Sequence, residues 1–161
     1  MNHKLSCIYL NRMSIVLTCC FFFFSLLTSI VCSDSLFDNQ SFLKQYKEQA
    51  GVKALDNGIL YKIIKIGAES HSPGPYSRVL THYEGRLISG QVFDSSYKRN
   101  EPSQFYLHQV IPGWTSILQE MTVGDKWEVV IPSDLAYGAR KVGPIPANST
   151  LIFIIELLAI N

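Results

Sequence analysis

Beyond residue 32 the chain has no cysteine: Cys7, Cys19, Cys20 and Cys32 all fall in the first stretch of the 161-residue sequence. If that stretch is removed, the remainder can form no disulfide, offers no thiol nucleophile, binds no zinc through thiolate and has no redox couple. Its stability must then come from a hydrophobic core. Charge of one sign is missing too. Fourteen basic side chains face thirteen acidic ones, a formal net charge of +1. Lys4 and Arg12 precede the first carboxylate, so from Asp34 on twelve basic residues face thirteen acidic ones. Such a balance gives no electrostatic case for nucleic acid or an anionic membrane. There is no glycine-rich phosphate loop and no Gly-x-Ser-x-Gly elbow. After the first stretch the only histidines are His71, His82 and His108, and no His/Asp/Glu spacing suggests a metal site. His82 beside Tyr83 reads as an ordinary strand histidine. No metal and no cofactor are expected.

One long uncharged run is present. His3, Lys4 and Arg12 precede Met13, Ser14 to Cys32 carries no charge, and Val31-Cys32-Ser33 closes the run with small residues. This is the order of a signal peptide, with cleavage after Cys32 or Ser33; Met13 is an alternative start. Residues 1–33 are thus expected to direct export, to a periplasmic or secreted destination, or to a secretory-pathway lumen in a eukaryote. The alternative is an uncleaved anchor through residues 14–31, at the short end of the roughly 20 residues that span a bilayer. Lipid attachment at Cys32 is disfavoured by the bulk of Val31. Asn39-Gln40-Ser41 and Asn148-Ser149-Thr150 fit the glycosylation sequon, which has meaning only in a eukaryotic secretory pathway.

The rest has room for one modest domain. Residues 34–55 form a short lead-in in which Phe42, Leu43, Tyr46 and Ala50 recur at helical spacing up to Gly51. Asp56-Asn57-Gly58 is a turn. Strands are expected over Ile59–Ile66, Val79–Ile88, Val92-Phe93, Phe105–Val110, Trp127–Ile131 and Leu151–Ile160. The last is apolar on nearly both faces and so central or covered. Within the 79–88 run, Val79, Thr81 and Tyr83 share one face, Leu80, His82 and Glu84 the other. A helix is expected from Pro112 to Met121, with proline in its first turn and Trp114, Ile117, Leu118 and Met121 in one stripe. The class is α+β: an antiparallel sheet of five to six strands wrapped around one short helix, over residues 56–161.

Five segments then stand in order: Tyr83-Glu84-Gly85, Phe93-Asp94-Ser95-Ser96, Val110-Ile111-Pro112-Gly113-Trp114, Ala136-Tyr137-Gly138 and Phe153. Taken singly each has a bland reading. Alternating strand aromatics and a tryptophan on a helix stripe are by default core. Asp94-Ser95-Ser96 reads as a side-chain-capped turn, and Tyr137-Gly138 as a loop anchor. Taken jointly they read as the lining of an apolar pocket with a few polar groups at its rim.

Together these segments resemble the FKBP-type peptidyl-prolyl cis-trans isomerases over about residues 56–160. The stretch Glu48–Val52 leading to Asn57–Tyr61, with Val110–Trp114, is similar to the macrophage infectivity potentiator and periplasmic branch. The resemblance implies an isomerase that acts on X-Pro bonds of exported proteins. It implies walls from Tyr83, Phe93, Val110, Ile111, Tyr137 and Phe153, with Trp114 as floor and Ile145 as a further lining position. Asp94 would stand beside the bound carbonyl, tied down by Arg99. The Ile111 N–H and the Tyr137 hydroxyl would donate to substrate carbonyls. Expected partners are proline-containing polypeptides and tacrolimus- or rapamycin-type macrolides. A monomer is expected, because the long dimerisation helix of such relatives is missing. Two departures bear on preference and macrolide affinity: Ser103 stands where many members carry an aromatic, and the 138–143 loop is shorter and carries Arg140-Lys141. The alternative from another class is a binding module or chaperone with this pocket and little turnover.

Overall fold

Alternation of side chains decides which face of each strand meets the core. The computed structural model describes residues 38–161; the leader and its cleavage point lie outside the described residues. In chain order the elements are a helix α1 over residues 38–47, β1 (Val52–Ala54), β2 (Leu60–Lys65), β3 (Arg78–Leu87), β4 (Val92–Ser95), a one-turn helix α2 (Ser96–Arg99) and β5 (Ser103–Tyr106). There follow a 3₁₀ turn (Leu107–Gln109), α3 (Pro112–Leu118), β6 (Lys126–Ile131), a 3₁₀ turn (Ser133–Leu135) and β7 (Leu151–Ile160). β3 buries Val79, Thr81 and Tyr83 and leaves Leu80, His82 and Glu84 half-buried, as its period of two requires.

The seven strands form one antiparallel sheet in the order β1-β2-β6-β7-β3-β4, with β5 also paired to β3. β7 lies between β6 and β3, which explains its apolar character on both faces. The expected count of five to six falls short by β1, whose three residues sit in what reads as a helical lead-in. The expected strand over Phe105–Val110 is also corrected: the strand is Ser103–Tyr106, and the chain then turns. Leu107 N donates to Ser77 O at 3.1 Å and Leu107 O accepts from the Thr115 hydroxyl at 2.6 Å. Those bonds draw the backbone over the start of α3 and out of the ladder.

α3 lies on one face of the sheet and ends at Leu118, earlier than its apolar stripe. Met121 remains fully buried, its N–H donating to Leu118 O at 3.2 Å in a closing turn. The stripe of Trp114, Ile117, Leu118 and Met121 is part of the main core with Ile59, Val129, Leu151 and Ile155. Close approach of helix and sheet depends on Gly113, where an added Cβ would lie 2.5 Å from Ile131 Cγ2.

α1 covers the opposite face. Tyr46 is buried there with Leu60, Val130 and Ile152, joined by Phe42 and Leu43. These sheet residues alternate with Tyr61, Val129 and Phe153 of the main core. Ala50 is exposed beyond the helix, in the turn that ends at Gly51. The Asn39 Oδ1 accepts from Thr150 N at 2.7 Å, so α1 is pinned at the start of β7. Tyr46 donates its hydroxyl to Glu128 Oε1 at 2.5 Å, and Arg86 Nη2 reaches Glu128 Oε2 at 2.7 Å. Burial, then the bond to Glu128, pushes the Tyr46 hydroxyl well above its usual range, so it stays a donor. Tyr46→Phe removes one bond to a carboxylate without opening a cavity. It is expected to lower stability by about 1 kcal/mol, read as a shift in the urea midpoint at constant slope. An unchanged midpoint would show that α1 is held by its apolar face alone.

Candidate functional site

Four of the strands and α3 enclose an aromatic cavity of about 340 Å³. Tyr83 reaches it from β3, Phe93 and Asp94 from β4, Phe105 from β5, and Phe153 from β7. Gln109, Val110 and Ile111 come from the turn before α3, Trp114 from α3 and Tyr137 from the loop after β6. Trp114 is 4% exposed, and three rings meet it edge to face. Tyr83 is 5.2 Å away at 88°, Phe105 5.4 Å at 80° and Phe153 5.4 Å at 82°. Phe93 stands edge-on to Phe153 at 5.7 Å. Edge-to-face pairs match the positive rim of one ring to the negative face of the next, so the walls hold one another in place.

Gly85 shapes the back of this wall. Its Cα pairs with Asp94 on β4 and Phe153 on β7. A Cβ there would lie 2.6 Å from Phe93 Cε2 and 2.8 Å from Phe153 Cε1. The two rings occupy the space that any other residue would fill.

Each residue of Asp94-Ser95-Ser96 has a separate task. The Ser95 side chain caps α2, accepting from Lys98 N at 3.3 Å. Buried Ser96 clamps β3: its Oγ accepts from Tyr83 N at 2.7 Å and donates to Tyr83 O at 3.1 Å. His82 Nδ1 lies 3.0 Å from the same hydroxyl oxygen, within hydrogen-bond distance. Within three residues the chain thus caps a helix through Ser95 and places Asp94 on the cavity surface.

Asp94 accepts from the Tyr83 hydroxyl and from Arg99 Nη1. Arg99 Nη2 also donates to Tyr83 Oη at 3.2 Å and to Ser103 Oγ at 3.3 Å. Partial burial opposes the charge on Asp94, but the bonds from Tyr83 and Arg99 outweigh it and hold the carboxyl below the usual range. Burial, then the bond to Asp94, pushes the Tyr83 hydroxyl up. A carboxylate that stays ionised and a phenol that stays protonated therefore share one rim. The Tyr137 hydroxyl has no partner among the described residues and remains available to a ligand. Among these residues no group of three His, Cys, Asp or Glu could hold a metal ion.

Of the residues expected at a pocket, eight line the cavity: Tyr83, Phe93, Asp94, Val110, Ile111, Trp114, Tyr137 and Phe153. Arg99 stands one step behind, on Asp94. Ile145 is not on the cavity surface. It is buried in the core, and its backbone pairs with Val142 at 2.9 and 3.0 Å, closing a tight turn just after Arg140 and Lys141. Two lining residues escape the sequence reading, Phe105 and Gln109. Phe105 had a signal: it lies two residues beyond Ser103 on the same strand, hence on the same face, and supplies an aromatic ring there. Gln109 has none beyond adjacency to Val110.

The sequence profile of the family described as FKBP-type peptidyl-prolyl cis-trans isomerase matches residues 69–158. The outer membrane protein MIP of Legionella longbeachae is 48% identical over 122 residues, which is 75% of this chain and 52% of that protein. The FKBP-type 22 kDa peptidyl-prolyl cis-trans isomerase of Escherichia coli K12 is 46% identical over 120 residues, 74% of this chain and 58% of the other. The chain thus spans about half the length of these curated relatives. Among solved structures, a peptidyl-prolyl cis-trans isomerase from Pseudomonas syringae superposes with a TM-score of 0.75 at 42% identity, over 80% of this chain and 95% of that one. FkpA from Escherichia coli superposes with a TM-score of 0.78 at 33% identity, over 99% of this chain and 75% of its own.

Proposed function

The chain belongs to the FKBP-type peptidyl-prolyl cis-trans isomerase family, and on that premise we propose that it speeds cis-trans exchange at X-Pro bonds of polypeptides in this cavity. The observation that carries the reading is an aromatic cavity floored by Trp114, with an ionised Asp94 and an unspent Tyr137 hydroxyl at its rim. The amide C–N bond resists rotation by about 18–20 kcal/mol because of its partial double-bond character. Before proline, cis and trans are close in energy yet exchange over tens of seconds or longer. Catalysis breaks no bond and calls for no cofactor. It requires only that the twisted amide bind better than either planar form. Twisting removes resonance, shrinks the amide dipole and makes the nitrogen more basic. A cavity walled by Tyr83, Phe93, Phe105, Trp114 and Phe153 favours that less polar state, while Ile111 N–H and Tyr137 Oη fix the substrate carbonyls. Asp94, tied down by Arg99, acts electrostatically on the strained carbonyl and not as a base, since no proton need move. The same cavity is the proposed seat for tacrolimus- or rapamycin-type macrolides.

The leader pattern over residues 1–33 supports export to the periplasm or beyond, with residues 34–55 as lead-in to a monomeric catalytic domain over 56–161. Among the described residues no helix is long and apolar enough to cross a membrane.

The test is exchange of a short X-Pro peptide followed with purified protein. Tyr137→Phe is expected to lower kcat/KM about fivefold, the equivalent of one neutral hydrogen bond of about 1 kcal/mol. Asp94→Val is expected to lower it by about ten- to a hundredfold, and the macrolide to block the rest. A folded protein that binds the peptide without accelerating exchange would instead be a binding module.

The pH profile tests whether Asp94 is the only titrating group that matters. No histidine lines the cavity, and Asp94 is held below the ordinary carboxylate range. So kcat/KM is expected to be flat from about pH 5 to 8, and a titration in that window would assign proton transfer to a group other than Asp94. The same depressed pKa favours the folded state above the unfolded-state value of about 3.9. That contribution is lost as pH falls through the folded-state value.

A further inference from the structure

Strand β3 changes partners along one of its edges. Arg78–Thr81 pair with β5, and Glu84–Arg86 pair with β4. His82 and Tyr83 lie between the two. They pair with β7 on the other edge and have no partner on β4 or β5. One side chain fills the gap. Ser96, fully buried at the start of α2, accepts from Tyr83 N at 2.7 Å and donates to Tyr83 O at 3.1 Å. Its hydroxyl thus takes both bonds that a strand residue opposite Tyr83 would make. Without it, a buried N–H and C=O would be left bare.

The Ser96 carbonyl accepts from Glu101 N at 3.2 Å, next to Asn100, which closes α2 at φ 53°. Through Ser96 the two ends of the segment between β4 and β5 are joined to each other and to β3. That segment carries the charged rim of the cavity. Asp94 precedes Ser96 by two residues and Arg99 follows it by three. The two bond to each other and to the Tyr83 hydroxyl. Tyr83 is therefore held at both ends, its hydroxyl by Asp94 and Arg99 and its backbone by Ser96. The ring between them is rigid, so a shift of the backbone moves the hydroxyl. The apolar walls have separate support: Phe93 and Trp114 each stand edge to face against Phe153.

We propose that Ser96 is a positioning residue for the isomerisation: its hydroxyl replaces the missing rung of the ladder and thereby sets the Tyr83 hydroxyl against Asp94 at the cavity rim. The role rests on the isomerase reading above, in which Asp94 acts on the strained carbonyl. Ser96 touches no substrate. Its loss loosens the polar rim and leaves the aromatic walls in place, so the twisted amide loses more stabilisation than the planar one.

The test is X-Pro peptide exchange by purified protein, with kcat and KM resolved. Ser96→Ala is expected to lower kcat about five- to tenfold, the equivalent of one hydrogen bond lost in the transition state. KM is expected to stay within about twofold, because the walls that hold the ring bind ground and transition states alike. Tyr46→Phe, on the opposite face of the sheet, is the control for stability: it is expected to lower the urea midpoint and leave kcat unchanged. In a Tyr83→Phe background the loss caused by Ser96→Ala is expected to vanish, since the hydroxyl that Ser96 positions is already gone. Ser96→Cys, close in volume but with a weakly bonding thiol, gives the same comparison if the alanine variant fails to fold. Wild-type kcat in the folded Ser96 variant, a loss confined to KM, or a loss undiminished in the Tyr83→Phe background would overturn the proposal and leave Ser96 a clamp of the fold alone. Absence of acceleration by the wild type would strike the isomerase reading, and the positioning role with it.

Discussion

Replacing Gly85 with alanine is expected to lower stability by about 1–3 kcal/mol and kcat/KM by about tenfold or more, although the change is a single methyl group. Two effects compete. Glycine inside a strand is entropically costly, and alanine would ordinarily recover about 0.5–1 kcal/mol. Gly85 does not have a positive φ, so no backbone strain opposes the substitution. The added Cβ, however, would sit 2.6 Å from two atoms of the Phe93 ring and 2.8 Å from Phe153. Phe153 is braced by Trp114 at 5.4 Å and cannot simply retreat, so relief comes from swinging rings into the cavity. Overpacking therefore exceeds the entropic gain, and the cavity loses its shape. Each 1.4 kcal/mol of lost transition-state preference is a factor of ten in rate. Urea unfolding and peptide exchange on the same variant check both halves. Wild-type values in both would mean that the wall around Gly85 is soft and the aromatic shape unimportant.

Trp114→Ala has the largest expected effect on stability. The indole is buried and met by three rings, so truncation leaves a void beneath all of them. Large-to-small changes of this kind cost about 3–5 kcal/mol, a large share of the roughly 5–15 kcal/mol that holds a domain together. The alanine variant is expected to unfold at markedly lower urea and to lose exchange activity. Trp114→Phe keeps an aromatic floor of smaller area and separates the two roles: most of the stability is expected to return, and less of the kcat/KM. If the phenylalanine variant regains full activity, the floor serves only to fill space. If the alanine variant keeps full activity, catalysis does not take place in this cavity.

How much of this was legible depends on whether a residue's neighbours in sequence carry a signal. β7 is readable to its ends because its ten residues are apolar except for Glu156 and run between polar flanks. α3 was readable because Trp114, Ile117 and Leu118 mark a stripe. Its end was misread because Met121 continues that stripe in a turn that is no longer helical. β1 has three residues, too few to show any period. The apolar face of α1 was visible, but which side of the sheet it covers depends on Leu60, Val130 and Ile152, which only pairing brings together. In the cavity, the ordered aromatics could be recognised jointly. Ile145 could not be sorted between wall and core, since both demand a buried apolar side chain there. Phe105 was hidden behind Ser103, and Gln109 has no chemistry of its own that points to a site.

The position of β7 has a consequence in time. Among the described strands it is the last in chain order and the one that joins β1-β2-β6 to β3-β4-β5. Until Leu151–Ile160 is available, the earlier strands are two separate pieces of sheet. A ribosome adds about 5–20 residues per second, so the chain stays open throughout its synthesis and closes only after residue 160 has emerged. Pairing β3 with β7 spans some 75 residues of sequence, a long-range closure of the kind that slows folding. Folding of the sheet therefore waits on β7, and until then the nascent chain exposes the apolar segments that later wall the cavity.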